Sequence, residues 1–287
     1  MAAIILLISV AFLVLLITIL FSLSIVGRNL GLFSSELMNE TRLLRLTPSR
    51  WAIYFVVGYI WVLAKVHFPG TETIVTYSFD NRFGRLLRAA YWKCRVRKFG
   101  KDVIIEIGAK AIGWQNISIG DRSAVDRNVI LETGEIDRDK FMVYDKNANA
   151  TVKDGELIIG QGCHISKNVV IQSFGGVFIG DFTGIASGAM IYSLSHHYKN
   201  MKCNDDIIYK FTPFAPHSEQ SLIKGPVILE GCNALGLNSV ILPGVTVGKN
   251  SWIGVCSYVV ENIPPNCLAV GCPAKVVKLL NNKSGKC

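Results

Sequence analysis

The chain has 287 residues, half of them hydrophobic and 18% charged, with a formal net charge of +9. That composition excludes a disordered chain and leaves room for one large domain or two small ones. The charge is uneven: residues 1–81 carry five basic and four acidic residues, 82–101 carry eight basic and no acidic ones, and 102–287 carry 17 of each. The surplus is therefore one short block, and the last two-thirds of the chain is neutral.

Residues 2–27 hold no charge and are mostly Leu, Ile, Val, Ala and Phe. A bilayer-spanning helix needs about 20 apolar residues, so this run reads as an uncleaved transmembrane anchor. No basic residue precedes Arg28, as a signal peptide would require. A second apolar stretch, 51–68, is interrupted by Lys65 and contains Trp51, Tyr54, Tyr59 and Trp61. It reads as a second span or as a helix in the interface.

The basic block runs through Arg82, Arg85, Arg88, Lys93, Arg95, Arg97, Lys98 and Lys101, with Leu86, Leu87, Tyr91 and Trp92 between them. The first three share one helical face. Beside an apolar segment, such a block favours anionic lipid headgroups over nucleic acid. The positive-inside rule then puts the remainder of the chain on the cytoplasmic side of an inner membrane.

From there the pattern changes to a period of six. Aliphatics recur at Leu229, Leu235, Ile241, Val247, Ile253 and Val259, and at Ile159, Ile165 and Ile171. After a two-residue slip at 174–176 they return at Ile179, Ile185 and Ile191. A weaker first run is Ile107, Ile119, Val125 and Leu131, broken at Gly113. Glycine often follows the aliphatic, and a small or β-branched residue stands four after it, as at Cys163, Thr183, Ser239, Ser251 and Ser257.

A period of six fits neither a helix nor a long alternating strand. It fits short strands joined by tight turns. The aliphatic points inward and glycine supplies a positive φ at the turn. Three units close one triangular coil, and stacked coils share a continuous core. The predicted fold is all-β: a parallel β-helix, its repeat resembling the left-handed type. Residues 1–70 are read as anchor, 71–102 as basic linker, 103–273 as β-helix and 274–287 as a partly helical tail. Two segments, 132–158 and 192–226, interrupt the repeats; the longer one contains Ser195-His196-His197-Tyr198. Long ordered loops in compact repeats usually carry function.

The eight cysteines form no C-x-x-C pair, so no zinc ribbon or redox motif is expected. Cys163, Cys232 and Cys256 fall inside the repeat and read as free structural thiols.

The chain from about 103 to 280 resembles the hexapeptide-repeat acyltransferases, above all the sugar and polysaccharide O-acetyltransferase branch. The residues that carry the likeness are Ile179-Gly180-Asp181 leading to Ser195-His196-His197, the run Ile241 to Gly248, Ile263-Pro264-Pro265, and Gly271-Cys272-Pro273-Ala274-Lys275. The resemblance implies a left-handed β-helix with an extruded catalytic loop, acetyl-CoA as donor, a homotrimer, and no metal. It implies His196 as general base, with His197 as the alternative, and an oxyanion site from the backbone at Gly236 and Leu237. Donor contacts map to Val255, Ser257, Lys275 and Lys278. Ser166 stands where some relatives place an Asn at the acceptor, and Phe174 where they place an acid, so simple galactoside specificity is not implied. Tyr198 and His217 are further acceptor candidates.

A sugar hydroxyl needs a base to attack a thioester at neutral pH, and imidazole suits that task. The function expected is a membrane-anchored O-acetyltransferase acting on a surface-glycan sugar or its lipid-linked precursor. The alternatives are an N-acetyltransferase of a nucleotide-linked amino sugar and a non-catalytic scaffold. A zinc-dependent β-helix enzyme is disfavoured because His196 and His197 are adjacent rather than spaced as ligands.

Overall fold

A computed structural model of the chain describes residues 70–137, 140–147, 152–202 and 207–280. The chain divides into two compact units, 1–95 and 96–287.

In the first unit the described residues form two helices, Thr71–Tyr77 and Arg82–Arg95. Asn81 starts the second by accepting the Gly84 N–H on its side-chain oxygen at 3.0 Å. Leu86, Leu87, Ala90 and Tyr91 are buried. So is Arg88, which is 0% exposed and donates to the Ser78 carbonyl at 3.0 Å. The expected basic face is therefore interrupted: Arg82 and Arg85 are exposed while Arg88 closes the turn between the helices. Within the stretch read as a basic linker, 71–102, these two helices are followed by strand Lys98–Phe99, the first of the β-helix.

The expectation of a membrane location is also corrected. Among the described residues no helix is long and apolar enough to cross a membrane. The apolar runs 2–27 and 51–68, on which that expectation rested, lie outside the described residues.

The second unit is a parallel β-helix with three sheets. One sheet stacks Phe99, Ile119, Ile159, Ile179, Leu229 and Val247. The second stacks Ile105, Val125, Ile165, Ile185, Leu235, Ile253 and Ala269. The third stacks Ala111, Leu131, Ile171, Ile191, Ile241 and Val259. Apart from Phe99, each of these is at most 4% exposed. Every coil thus caps the aliphatic triad of the next, at about 1.5–3 kcal/mol per fully buried side chain.

The first coil differs from the sequence reading. Its inward residues are Phe99, Ile105 and Ala111, and Ile107 is not among them. The register jumps from Ala111 to Ile119 because a 3-10 turn, Trp114–Asn116, is inserted there.

The glycine that follows the aliphatic also has a different reason. Gly120, Gly160, Gly180, Gly236, Gly248 and Gly254 do not have positive φ. A Cβ on Gly180 would lie 2.6 Å from the Glu230 carbonyl carbon, and one on Gly236 2.6 Å from that of Gly254. Glycine is required there because successive coils nearly touch. The left-handed turn falls two residues later, on Asn128, Asn168, Phe182, Cys232, Asn238, Asn250 and Cys256. Asn is the side chain that tolerates this region best after Gly. The inner slot beyond it behaves as expected: Cys163, Thr183, Ser239, Ser251 and Ser257 are at most 1% exposed.

Cys232 and Cys256 therefore sit on the turn rather than in the inner slot. Cys232 is disulfide-bonded, which corrects the reading of it as a free thiol; Cys163 and Cys256 are free. Of the tail 274–287, expected to be partly helical, Ala274–Leu279 is a strand paired antiparallel with Cys267–Gly271, and 281–287 lie outside the described residues.

The two inserted segments leave the same edge of the prism and meet. Strand Ser221–Lys224 pairs antiparallel with Leu194–His197 and parallel with Met142–Asp145. Lys224, with its side chain 2% exposed, ties them together by ion pairs to Asp145 and Asp154.

Candidate active site

The 192–226 segment leaves the coil after Ile191 and immediately forms strand Leu194–His197. Pairing of His196 with Leu222 and of His197 with Ser221 sets the two histidines on opposite faces of the small sheet. Beyond them the loop is tied back on itself. The Tyr209 N–H donates to the Tyr198 carbonyl at 2.8 Å, and the Lys210 N–H to that of Glu219 at 2.8 Å. Lys210 and Glu219 also form an ion pair.

The His196 ring is part-buried, with Nε2 3.2 Å from the Gln220 side-chain oxygen and the ring centroid 5.0 Å from that of Phe211. Its Nδ1 makes no hydrogen bond to the described residues. His197 is engaged differently. Its Nδ1 lies 2.8 Å from the Lys199 carbonyl and 3.1 Å from the Lys199 N–H, and its ring packs on Tyr198 at 4.6 Å. Local backbone thus engages Nδ1 of His197, while its Nε2 makes no hydrogen bond to the described residues.

The oxyanion candidates stand on another edge of the prism, following the Ile165, Ile185, Leu235 and Ile253 column. Here the Gly236 N–H is consumed by the Ile253 carbonyl at 2.8 Å. It cannot serve an oxyanion, which corrects half of that expectation. The Leu237 N–H makes no hydrogen bond to the described residues, and the residue is 47% exposed. Ser166 shares this edge, its N–H held by the Ile185 carbonyl at 2.9 Å. A single chain therefore puts His196 and Leu237 on different edges.

The donor candidates separate as well. Val255 is 61% exposed, but Ser257 is 1% exposed and its hydroxyl accepts the Gly271 N–H at 3.1 Å. Ser257 thus lies inside the coil, and Val255 is the one of this pair that reaches the surface. Lys275 pairs with Glu261 at 3.2 Å across an open surface, and Lys278 is exposed. Of the acceptor candidates, Phe174 is half-buried and packs over Gly134. The His217 ring lies 4.5 Å from that of Phe141 with the planes tilted by 54°, while Tyr198 is 59% exposed. No group of three His, Cys, Asp or Glu among the described residues could hold a metal ion.

Sequence reading missed Gln220. It lies 24 positions from His196 across a loop with no repeat, so no spacing rule links the two.

No family model matches the chain. It is similar to dTDP-4-amino-4,6-dideoxy-D-glucose acyltransferase of Escherichia coli, 26% identical over 187 residues, covering 65% of this chain and 84% of that enzyme. It is 30% identical to galactoside O-acetyltransferase of Escherichia coli K12 over 125 residues, 44% of this chain and about half, 55%, of that enzyme. Among solved structures it resembles a variant of AntD, an N-acyltransferase from Bacillus cereus in complex with dTDP and coenzyme A. The TM-score is 0.53 at 23% identity, covering 67% of this chain and 88% of that one. The named relatives are thus O- and N-acyltransferases, and the likeness to AntD shows the fold that the stacked six-residue coils display.

Proposed function

We propose that the chain transfers an acetyl group from acetyl-CoA to a hydroxyl of a glycan sugar, with His196 as general base. The observation that carries this reading is the loop itself. It carries a part-exposed imidazole whose Nδ1 makes no hydrogen bond to the described residues. His196 takes the hydroxyl proton as the oxygen attacks the thioester carbonyl. The tetrahedral oxyanion is received by the Leu237 N–H. The C–S bond then breaks, and the imidazolium returns its proton to the thiolate of coenzyme A.

Because His196 and Leu237 lie on different edges of one prism, the reading includes a homotrimer in which one chain's loop faces another chain's coil edge. Val255 and Leu237 would meet the apolar part of the donor there, and Lys275 and Lys278 its phosphates. The test is acetyl transfer by the full chain to sugar acceptors, with His196→Ala as control. A loss of about 100- to 10,000-fold is expected, and unchanged turnover would sink the assignment.

The relative that acylates a dTDP-linked amino sugar covers more of the chain than the galactoside enzyme does, and favours N-acylation as a second reading. Mild base distinguishes them, since it releases acetate from an ester and not from an amide.

A further inference from the structure

We propose that Gln220 is the positioning residue that holds His196 in the Nε2–H tautomer, leaving Nδ1 as the atom that takes the acceptor's proton. This rests on the reading of His196 as the base.

Hydrogen-bond chemistry around the amide carries the inference. Gln220 is 1% exposed, and its side-chain nitrogen donates to the Ala215 carbonyl at 2.7 Å. A carbonyl can only accept, so that contact fixes which end of the amide is nitrogen. The opposite end, 3.2 Å from His196 Nε2, is therefore oxygen. Facing an acceptor, Nε2 must carry the hydrogen, and a neutral imidazole then keeps its lone pair on Nδ1.

The arrangement is braced from both sides. The Gln220 N–H donates to the His217 carbonyl at 3.1 Å, and the Ser221 hydroxyl donates to the Lys199 carbonyl at 2.9 Å. The pairing of His196 with Leu222 sets the distance between the two strands. When His196 accepts a proton, the Nε2–H bond to Gln220 becomes charge-assisted and stronger, so the amide supports the charged intermediate as well as the starting tautomer. A neutral amide does this without adding a charge of its own.

The experiment compares the full wild-type chain with Gln220→Met and Gln220→Glu. Gln220→Met keeps length and volume but removes both hydrogen bonds. Gln220→Glu keeps the acceptor for Nε2–H and loses the donor to Ala215. We expect kcat to fall about 10- to 100-fold in Gln220→Met, with KM for donor and acceptor within about twofold, and to recover most of the way in Gln220→Glu. A merely structural role would leave both variants about equally impaired, because both lose the bond to Ala215 that braces the loop.

Nitrogen-15 NMR of the labelled imidazole, assigned by difference against His196→Ala, should show Nε2 protonated in the wild type. The Nδ1–H tautomer there, or wild-type kcat in Gln220→Met, overturns the proposal. If Gln220→Met fails to fold, the wild-type tautomer and the Gln220→Glu rate still decide it. An active His196→Ala would instead sink the base assignment, and the tautomer measurement would stand apart from that result.

Discussion

Gly180 lies away from the candidate site and isolates one structural claim, that glycine after the inward aliphatic is needed for coil contact rather than for turn conformation. An alanine Cβ there would stand 2.6 Å from both the carbon and the oxygen of Glu230 and 2.7 Å from the Gly231 nitrogen. All three are backbone, so no side chain can rotate away. Ordinary contact begins at 3.4 Å, and the two coils must part locally by about 0.8 Å. The rung bonds on either side are Gly180 N–H to the Leu229 carbonyl at 2.7 Å and Cys232 N–H to the Asp181 carbonyl at 2.8 Å. Stretched by that amount, both reach the limit of useful hydrogen bonding. At about 1 kcal/mol each, with some lost packing between coils, Gly180→Ala should destabilise by about 2–3 kcal/mol. For a domain of this size that is a fall in Tm of about 4–12 °C. Gly184, four residues on, is the control. A Cβ there meets nothing within 4 Å and its φ is not positive. Gly184→Ala should be neutral, or stabilising by about 0.4–1 kcal/mol through the unfolded chain. Thermal unfolding of the two variants is the assay, and equal midpoints would refute the reasoning.

Three further outcomes are expected. Leu237→Pro removes one N–H at a corner position where Pro243 already occurs in the same chain; it should fold normally and lose about 100- to 1,000-fold in kcat, and full activity would remove Leu237 from the mechanism. Burial pushes the Cys163 thiol up to about 11 from 9.0, so at pH 8 its thiolate fraction is about 100-fold below that of an ordinary thiol. Mass spectrometry after maleimide treatment should find Cys256 and Cys272 modified and Cys163 intact. By the same sign, the buried neutral thiol stabilises the fold below about pH 9, and that contribution declines as pH rises toward 11. Lys224→Met leaves the carboxylates of Asp145 and Asp154 without their buried cation. With these carboxylates 28% and 39% exposed, solvent limits the loss to about 1–3 kcal/mol, seen as faster proteolysis within 132–158 at an unchanged coil Tm.

Much of the coil was legible without coordinates because its constraint is local and repeated. An inward aliphatic every six residues must be buried, and the small residue four later must fit a corner, so Ile179 through Ile191 and Leu229 through Val259 could be read directly. The reading failed where the constraint is between coils. Glycine at 120, 160, 180 and 236 looks the same in sequence whether it serves a positive φ or a close approach. Only the stacked backbone separates the two and moves the left-handed turn to Asn168, Asn238 and Asn250. The first coil was misregistered because a single inserted 3-10 turn, Trp114–Asn116, shifts everything before it by two.

The candidate site divides the same way. His196 was singled out by the family resemblance, which implies a base at the mouth of the long loop. Ser257 fits the repeat and the donor equally well on paper, and only the tertiary structure shows it buried, with its hydroxyl accepting the Gly271 N–H of the neighbouring strand. Gly236 likewise loses its N–H to a rung bond, while Leu237 next to it keeps one. Gln220 and the Lys224 ion pairs carry no sequence signature, since they depend on two insertions returning to the same edge and pairing as strands. The sequence by itself determined the repeat, and with it the core and the edge from which the loops depart, because burial acts on each residue in turn. Tertiary structure alone decided which polar groups remain available for chemistry, because a hydrogen bond made between distant segments is what removes them.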